Sequence, residues 1–100
     1  MDLSEKQKKY LRGLGHRLKP TILIGAGGLK NSVIKEFEST IDRHELVKVR
    51  TRVGNREKRN IVIDKLCDIA DCTLIQRVGN IALIYRPNKD MPIISLPTQS

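Results

Sequence analysis

Hydrophobic positions change period several times along the chain, and each change predicts a new element. Near the start, Ser4-Glu-Lys-Gln7 forms a capping box, in which the side chains of Ser4 and Gln7 each bond the other residue's backbone N–H. The helix that follows should end near Gly15, because Pro20 prevents its continuation. A short β-branched run bounded by proline and glycine then predicts a buried strand over residues 21–24.

The middle of the chain alternates between helical and strand periods. Asn31 or Ser32 can cap a second helix after the glycine loop. Its apolar face is made of Val33, Ile34, Phe37 and Ile41. Residues 46–53 then alternate with a period of two, which predicts a strand with one buried and one basic face. The buried face holds Val47, Val49, Thr51 and Val53, and the basic face holds Lys48, Arg50 and Arg52.

A third helix should run from its cap at Asn55 to about Ala70. Its apolar stripe is Val62, Ile63, Leu66, Ile69 and Ala70. Three cations, Arg56, Lys58 and Arg59, crowd its first turn, where they oppose the helix dipole. That unfavourable placement indicates a use for these cations outside the helix.

Residues 73–78 and 81–86 predict two strands joined by Gly79-Asn80, a pair that suits a type II′ hairpin. From Pro87 onward the chain has no helical period, and we expect an extended tail with Ile93, Ile94 and Leu96 laid against the body. The order α-β-α-β-α-β-β predicts an α/β (α+β-like) domain with a mixed four-stranded sheet and three helices.

A glycine loop, Gly25-Ala26-Gly27-Gly28, joins the first predicted strand to the second helix. Glycine allows close backbone approach, and the N–H groups that begin the helix carry the positive end of its dipole. Three interpretations stay open: a plain turn, a nucleotide site and a clamp on a nucleic-acid backbone. No Gly-Lys-Ser/Thr follows, and Lys30 replaces the third glycine of the dinucleotide fingerprint. Lys19 and Lys30 favour the backbone clamp.

The charge of the chain points the same way. Lys and Arg number 19 against 11 Asp and Glu, which gives a formal net charge of +8 over 100 residues. Such an excess in one small domain indicates a polyanionic partner. With one Phe, two Tyr and no Trp, the chain lacks aromatic platforms for stacking bases, so recognition should depend on phosphates and shape.

Other function classes find little support. Two cysteines, Cys67 and Cys72, without further Cys indicate a reducing compartment, and we expect the cytoplasm. We see no secretory signal and no apolar run that could span a bilayer, which excludes a membrane partner. His44-Glu45 offers an acid/base pair, but adjacent side chains at a helix end usually point apart into solvent. We therefore predict no enzymatic activity, no cofactor and no metal.

Four pieces of the sequence together resemble the CRM domain family, and more closely its stand-alone bacterial YhbY-type members. They are Leu-Lys-Pro at 18–20, the Gly25–Gly28 loop, His-Glu-Leu-Val-Lys-Val at 44–49 and Gly-Asn-x-x-x-x-Tyr-Arg at 79–86. The resemblance covers the chain from Leu3 to about Leu96. It implies an RNA-binding fold similar to the C-terminal domain of translation initiation factor three, with the Gly-x-x-Gly loop acting like that of KH domains.

The resemblance also implies a partner, because single-domain bacterial members are linked to precursors of the large ribosomal subunit. Related loops often carry a basic residue in the middle. Here Ala26 and Gly27 stand there, so contacts would come from backbone N–H groups and from Lys30. Tyr85-Arg86 matches a family signature, with Tyr85 packing at the end of the sheet.

We therefore expect a cytoplasmic, monomeric protein that binds ribosomal RNA and assists assembly of the large subunit. Its RNA-binding domain would cover residues 1–96, with an extended tail at 87–100 partly packed on it. The expected RNA-contacting residues are Gly25, Ala26, Gly27, Gly28, Lys30, Lys19, Lys6, Lys9, Arg12, Arg50 and Arg52. The alternative is a protein-binding module whose apolar tail and exposed sheet edge dock on a ribosomal protein or assembly factor.

Overall fold

The structure is a computed structural model that describes residues 1–98, and its elements follow the predicted order. The helices are α1 (Glu5–Gly15), α2 (Asn31–His44) and α3 (Arg56–Ala70), and the strands are β1 (Ile22–Ile24), β2 (Leu46–Thr51), β3 (Thr73–Val78) and β4 (Ile81–Tyr85). The predicted fold class, an α/β domain with three helices and a mixed four-stranded sheet, is confirmed. Among the described residues, no helix has the length and hydropathy needed to cross a bilayer.

The sheet has the strand order β1-β2-β4-β3. β1 and β2 are parallel, with Leu23 opposite Arg50, and the other neighbours are antiparallel. The β3–β4 hairpin turns through residues 79–80. Positive φ falls on Gly79 (59°) and not on Asn80, as the predicted type II′ turn requires.

Helices cover both faces of the sheet, and each face has its own core. The larger core, between the sheet and α2 and α3, contains Ile22, Ile24, Phe37, Ile41, Val47, Val49, Ile63, Leu66, Ala70, Ala82 and Ile84. The smaller core, under α1, contains Leu11, Leu46, Ile75, Leu83 and Tyr85. The central strand β4 is therefore buried on both faces, which explains its nearly unbroken apolar sequence.

Two of the three predicted helix caps are confirmed, and one is wrong. The Ser4–Gln7 capping box forms with both bonds at 3.1 Å, and Asn55 Oδ1 accepts from the Lys58 N–H at 3.0 Å. In α2, the capping position falls on Lys30, which makes no side-chain cap. The reason is the tight turn before it: Lys30 N–H bonds Gly28 O at 3.1 Å, so the chain enters the helix before a polar side chain reaches the capping position.

Three smaller expectations also change. β2 ends at Thr51 instead of Val53, because its parallel partner β1 ends at Ile24, opposite Thr51, and the bond from Arg52 N–H to Ile24 O at 2.8 Å is the last of that ladder. Ile69 is 48% exposed and does not join the core stripe of α3. The face of β2 predicted to be basic is partly covered by α1, so Leu46 is buried there and Arg50 is only half-exposed.

Glu45 fastens the C-terminal segment to the body. It follows α2 at φ 62° and is fully buried. Its carboxylate accepts backbone N–H bonds from Asn88 at 2.5 Å, Ile93 at 2.8 Å and Ile94 at 2.6 Å. The expectation that its side chain would face solvent beside His44 is therefore wrong: a carboxylate committed to three N–H donors is not free to act as an acid/base partner.

The apolar residues of the tail divide between body and solvent. Ile94 and Leu96 pack against the core under α1, whereas Ile93 remains 63% exposed. Farther along, Gln7 Nε2 donates to the Pro97 carbonyl at 3.0 Å. Gln99 and Ser100, the last two residues of the expected tail, lie outside the described residues.

The Tyr85-Arg86 pair joins the sheet to both large helices. Tyr85 is buried in the core under α1, and its burial raises the pKa of its phenol. Arg86 donates to Glu38 at 2.9 Å and to Asp42 at 2.6 Å on α2, and to the Ala70 carbonyl that ends α3 at 2.7 Å. Tyr85 therefore packs at the end of the sheet, as expected, and Arg86 connects β4 with α2 and α3.

Candidate nucleic-acid interface

One edge of the sheet collects most of the predicted site. β1 ends in the glycine loop and β2 ends just before the residues that begin α3. Because these strands are parallel, both exits lie at the same edge, and the β3–β4 turn joins them there, since Thr51 N–H bonds Asn80 O at 2.8 Å. We call this the basic edge and define it by the loop 25–28 with Lys30, the segment 50–59 and the turn 79–80.

The glycine loop is open to its surroundings. Gly28 N–H bonds Gly25 O at 3.0 Å, which closes a turn, and Gly28 adopts φ 77°, a conformation suited to glycine. A Cβ placed on Gly25 or Gly28 would have no atom within 4 Å. A Cβ on Gly27 would lie 2.6 Å from Lys30 Cε, which shows that this lysine folds over the loop. A ligand backbone can therefore approach closely, beside a cation.

The start of α2 faces the same loop without a side-chain cap. The first intrahelical bond of this end runs from Ile34 N–H to Lys30 O at 3.1 Å. The N–H groups of residues 31–33 therefore precede the helical ladder and carry the positive end of the helix dipole. An anion seated on the loop would be stabilised by both the dipole and these donors.

Three further predicted residues line a groove of about 480 Å³ beside β1: Lys19, Arg50 and Arg52. They meet because Lys19 precedes β1 and Arg50 lies opposite Leu23 in the parallel register. Leu23 also lines the groove and is 47% exposed. Arg50 Nε is buried without a hydrogen-bond partner among the described residues. The groove thus combines cationic and aliphatic side chains.

The predicted cations of α1 lie apart from that groove. Lys6 and Lys9 line a separate shallow groove with Tyr10, Gly13 and Pro97. Arg12 lies in the last turn of α1 and is half-buried. No residue lines both grooves. The groove therefore brings Lys19 together with Arg50 and Arg52, and Arg52 adjoins the glycine loop through its N–H bond to Ile24 O. Lys19 precedes β1 and the loop follows it, so Lys19 lies toward the other end of that strand, and the three α1 cations do not line this groove.

The basic edge also contains cations that the predicted set leaves out. Arg56, Lys58 and Arg59 begin α3, directly after the segment that leaves β2. The stem of Lys58 crosses Gly54, where a Cβ would lie 2.8 Å from Lys58 Cδ. The signal in the sequence is the crowding of three cations in a first turn, where they oppose the dipole. These three cations add positive charge to the edge of the sheet that also carries the glycine loop.

The two cysteines are not poised as nucleophiles. Burial raises the pKa of the Cys67 thiol to about 11 and that of Cys72 to about 12, so both stay protonated and unreactive near neutral pH. Within residues 1–98, no group of three or more His, Cys, Asp or Glu side chains is arranged to hold a metal. The geometry favours binding of an anionic polymer.

Known proteins match this chain almost from end to end. The model of the CRS1 / YhbY (CRM) domain matches residues 3–86. The chain is 37% identical over 99 residues to a protein of Pseudomonas aeruginosa named a probable RNA-binding protein, with 95% of each chain covered. It is 35% identical over 91 residues to an RNA-binding protein of Haemophilus influenzae, covering 91% of this chain and 92% of that one.

A solved structure agrees with these matches. The solution structure of a hypothetical protein from Staphylococcus aureus, described as a candidate RNA-binding protein, superposes with a TM-score of 0.81 at 34% identity. The match covers 96% of this chain and 100% of that one. The resemblance drawn from the sequence is thereby confirmed at the level of both sequence and fold.

Proposed function

The chain belongs to the CRS1/YhbY (CRM) domain family, and from this premise we propose that it binds RNA by gripping the sugar–phosphate backbone at the basic edge. The observation that carries the proposal is the open glycine loop of residues 25–28, which faces the uncapped start of α2 with Lys30 folded over it. The relatives named as RNA-binding proteins support RNA as the polymer. Phe37 and Tyr85 are buried, so among the described residues Tyr10 is the one aromatic side chain exposed for stacking on a base, and phosphate contacts supply most of the affinity.

The basic edge and the cations outside it have separate roles in this proposal. Backbone N–H groups of the loop and of the first turn of α2 hold one phosphate, with Lys30 beside it. Lys19, Arg50 and Arg52 neutralise the phosphates next along the strand, in the groove beside β1. Lys6, Lys9 and Arg12 form a second, outer surface that contacts RNA only when the RNA is large or folded.

We further propose that the RNA is that of the large ribosomal subunit precursor and that this monomeric protein assists its assembly in the cytoplasm. The support is the link between stand-alone bacterial members of this family and that precursor. A net charge of +8 on a small domain suits a large folded RNA. Crosslinking in cells, followed by sequencing of the bound RNA, tests this: reads should concentrate in precursor RNA of the large subunit. Reads spread evenly over messenger and transfer RNA would contradict it.

Salt dependence tests the phosphate-based mode directly. If roughly four to six phosphates are neutralised, the log–log plot of the association constant against salt should have a slope of about −3 to −4 on single-stranded RNA. Fluorescence anisotropy with a labelled twelve-nucleotide RNA over a series of salt concentrations gives this slope. A flat plot would show that binding does not depend on displaced counterions.

The alternative, a protein-binding module, uses the tail and a sheet edge. In the structure, Ile94 and Leu96 of the tail are packed on the body and Glu45 holds the backbone around them. That leaves Ile93 and Met91 as the exposed apolar side chains of the tail. Association with ribosomal particles that is insensitive to salt and survives RNase would favour this alternative over RNA binding.

A further inference from the structure

A cavity of about 540 Å³ lies at the far end of the basic edge, between the start of α3 and the β3–β4 turn. It is lined by Arg56, Arg59, Asn60, Leu74, Arg77 and Gly79. Residues far apart in sequence meet here, since Arg77 belongs to β3 and Arg59 to α3. None of the lining residues belongs to the predicted RNA-contacting set.

A β-bulge turns Arg77 toward this cavity. In the hairpin, Leu74 lies opposite Ile84 and Gln76 opposite Leu83, so one extra residue sits between them on β3. The extra residue reverses the alternation, and Arg77 lies opposite Ala82, on the face that packs against α3. With a regular period of two, Arg77 would face α1 instead. Bulges of this kind re-aim side chains beside functional sites.

The charge in the cavity is only partly balanced. None of its lining residues is acidic. Asp64, nearby on α3, pairs with Arg77 Nη2 at 3.1 Å, and its side chain is 67% exposed. Arg59 Nη1 reaches the Gly54 carbonyl at 3.5 Å, a long contact. Three guanidinium groups beside one exposed carboxylate leave a positive excess inside a concave surface, which concentrates its attraction for anions.

Several polar atoms in the cavity wall are buried without a partner. They are Nε of Arg59, Nε of Arg77 and Oδ1 of Asn60. Buried polar atoms without a partner are rare in folded proteins, and they are expected where an outside group supplies the missing bond. Arg59 and Arg77 both line the cavity, and because the guanidinium fork binds phosphate oxygens in pairs, the two side chains suit a phosphate group there.

We propose that this cavity holds a phosphodiester group of the same RNA strand that the glycine loop holds, so that the backbone runs along the basic edge from β1 to β3. The inference rests on the proposed function. β1 and β3 are the outer strands, three spacings of about 4.8 Å apart, or about 14 Å. At a rise of about 3.4 Å per nucleotide, four to five nucleotides span that distance.

The double variant Arg56→Gln with Arg59→Gln tests the cavity. It removes two cations that oppose the α3 dipole, so the fold should lose no stability. Each lost phosphate contact should reduce the magnitude of the salt slope on a twelve-nucleotide RNA by about 0.7. The two substitutions together should weaken RNA binding about 10-fold in low salt. Lys65→Gln, an exposed cation farther along α3, is the control and should change neither quantity by a comparable amount.

Two further measurements separate the possible results. In an NMR titration, the Nε–H signals of Arg59 and Arg77 should shift when the RNA is added, while inorganic phosphate alone at the same concentration should leave them in place. Unchanged RNA affinity in the double variant would overturn the inference. It would do so even if inorganic phosphate alone shifted the Nε–H signals, because the cavity would then bind an adventitious ion only. The loop variant Ala26→Asp with Gly27→Asp, measured in parallel, shows which proposal has failed. If the loop variant weakens RNA binding and the arginine variant does not, the proposed function stands without the cavity. If neither variant weakens binding, both proposals are refuted.

Discussion

Placing two aspartates in the glycine loop, Ala26→Asp with Gly27→Asp, will weaken RNA binding in low salt by about 30-fold. In a water-like medium, the repulsion between a carboxylate and a phosphate 4 Å apart weakens binding by about 1 kcal/mol. Two such repulsions weaken binding by about 2 kcal/mol, which corresponds to about 30-fold in affinity. Both positions are exposed and neither has a positive φ, so both accept a side chain. The new Cβ at Gly27 meets only the flexible end of Lys30. Anisotropy with the twelve-nucleotide RNA measures the loss.

Two controls identify the cause of that loss. Ala26→Asn with Gly27→Asn has nearly the same shape without the charge, and it should keep most of the affinity. Lys65→Glu changes the net charge by the same two units on an exposed part of α3, and it should weaken binding far less. If the asparagine variant loses as much RNA affinity as the aspartate variant, the loop contributes through its shape and not through its electrostatic potential. If the aspartate variant keeps its affinity and its melting temperature, the loop is not part of the interface.

Removing the buried carboxylate with Glu45→Ala will lower the free energy of unfolding by about 3 kcal/mol. Three backbone N–H groups lose a charged acceptor, and a buried donor left without one costs about 1–3 kcal/mol. The total stays below the sum because the tail can detach and hydrate its N–H groups. For a domain of this size, about 3 kcal/mol corresponds to a fall of roughly 12–24 °C in the melting temperature.

The order of the variants tests this explanation. Glu45→Gln keeps the shape and one acceptor oxygen, so it should cost least. Glu45→Gly removes the carboxylate but relieves the positive φ, so it should cost less than alanine. Glu36→Ala, an exposed glutamate on α2, should change the melting temperature little. Hydrogen exchange should accelerate over residues 88–94 in Glu45→Ala and in Glu45→Gly but not in Glu36→Ala. Equal melting temperatures for Glu45→Ala and Glu36→Ala would refute the role assigned to this carboxylate.

Elements with local signals could be predicted from the sequence. The Ser4–Gln7 box, the Asn55 cap and the Gly79-Asn80 turn each depend on residues within four positions of one another, so their partners are visible in the chain itself. The cap of α2 could not be predicted in this way, because the geometry of the preceding loop, and not the helix's own polar residues, places Lys30 at the capping position.

Features that depend on distant partners could not be predicted. Glu45 meets residues more than forty positions away, and nothing in its local sequence distinguishes it from a solvated side chain. The cavity beside Arg77 requires a bulge in β3 that shifts the alternation by one residue. Among the candidate site residues, Lys19 and Arg50 meet because of the parallel register of β1 and β2, whereas the periodicity of α1 does not say where on the sheet that helix packs.

The tether at Glu45 has a practical consequence. Glu45 immediately precedes β2, whereas the basic edge lies where β2 ends, so the tail is fastened at the end of the sheet away from the glycine loop. From there the chain passes to α1, where Gln7 holds the Pro97 carbonyl. A dye attached at Thr98, which is exposed, would thus lie near the groove of Lys6, Lys9 and Pro97 and leave the loop unobstructed. Immobilising the molecule by that position presents its phosphate-gripping side to the solution.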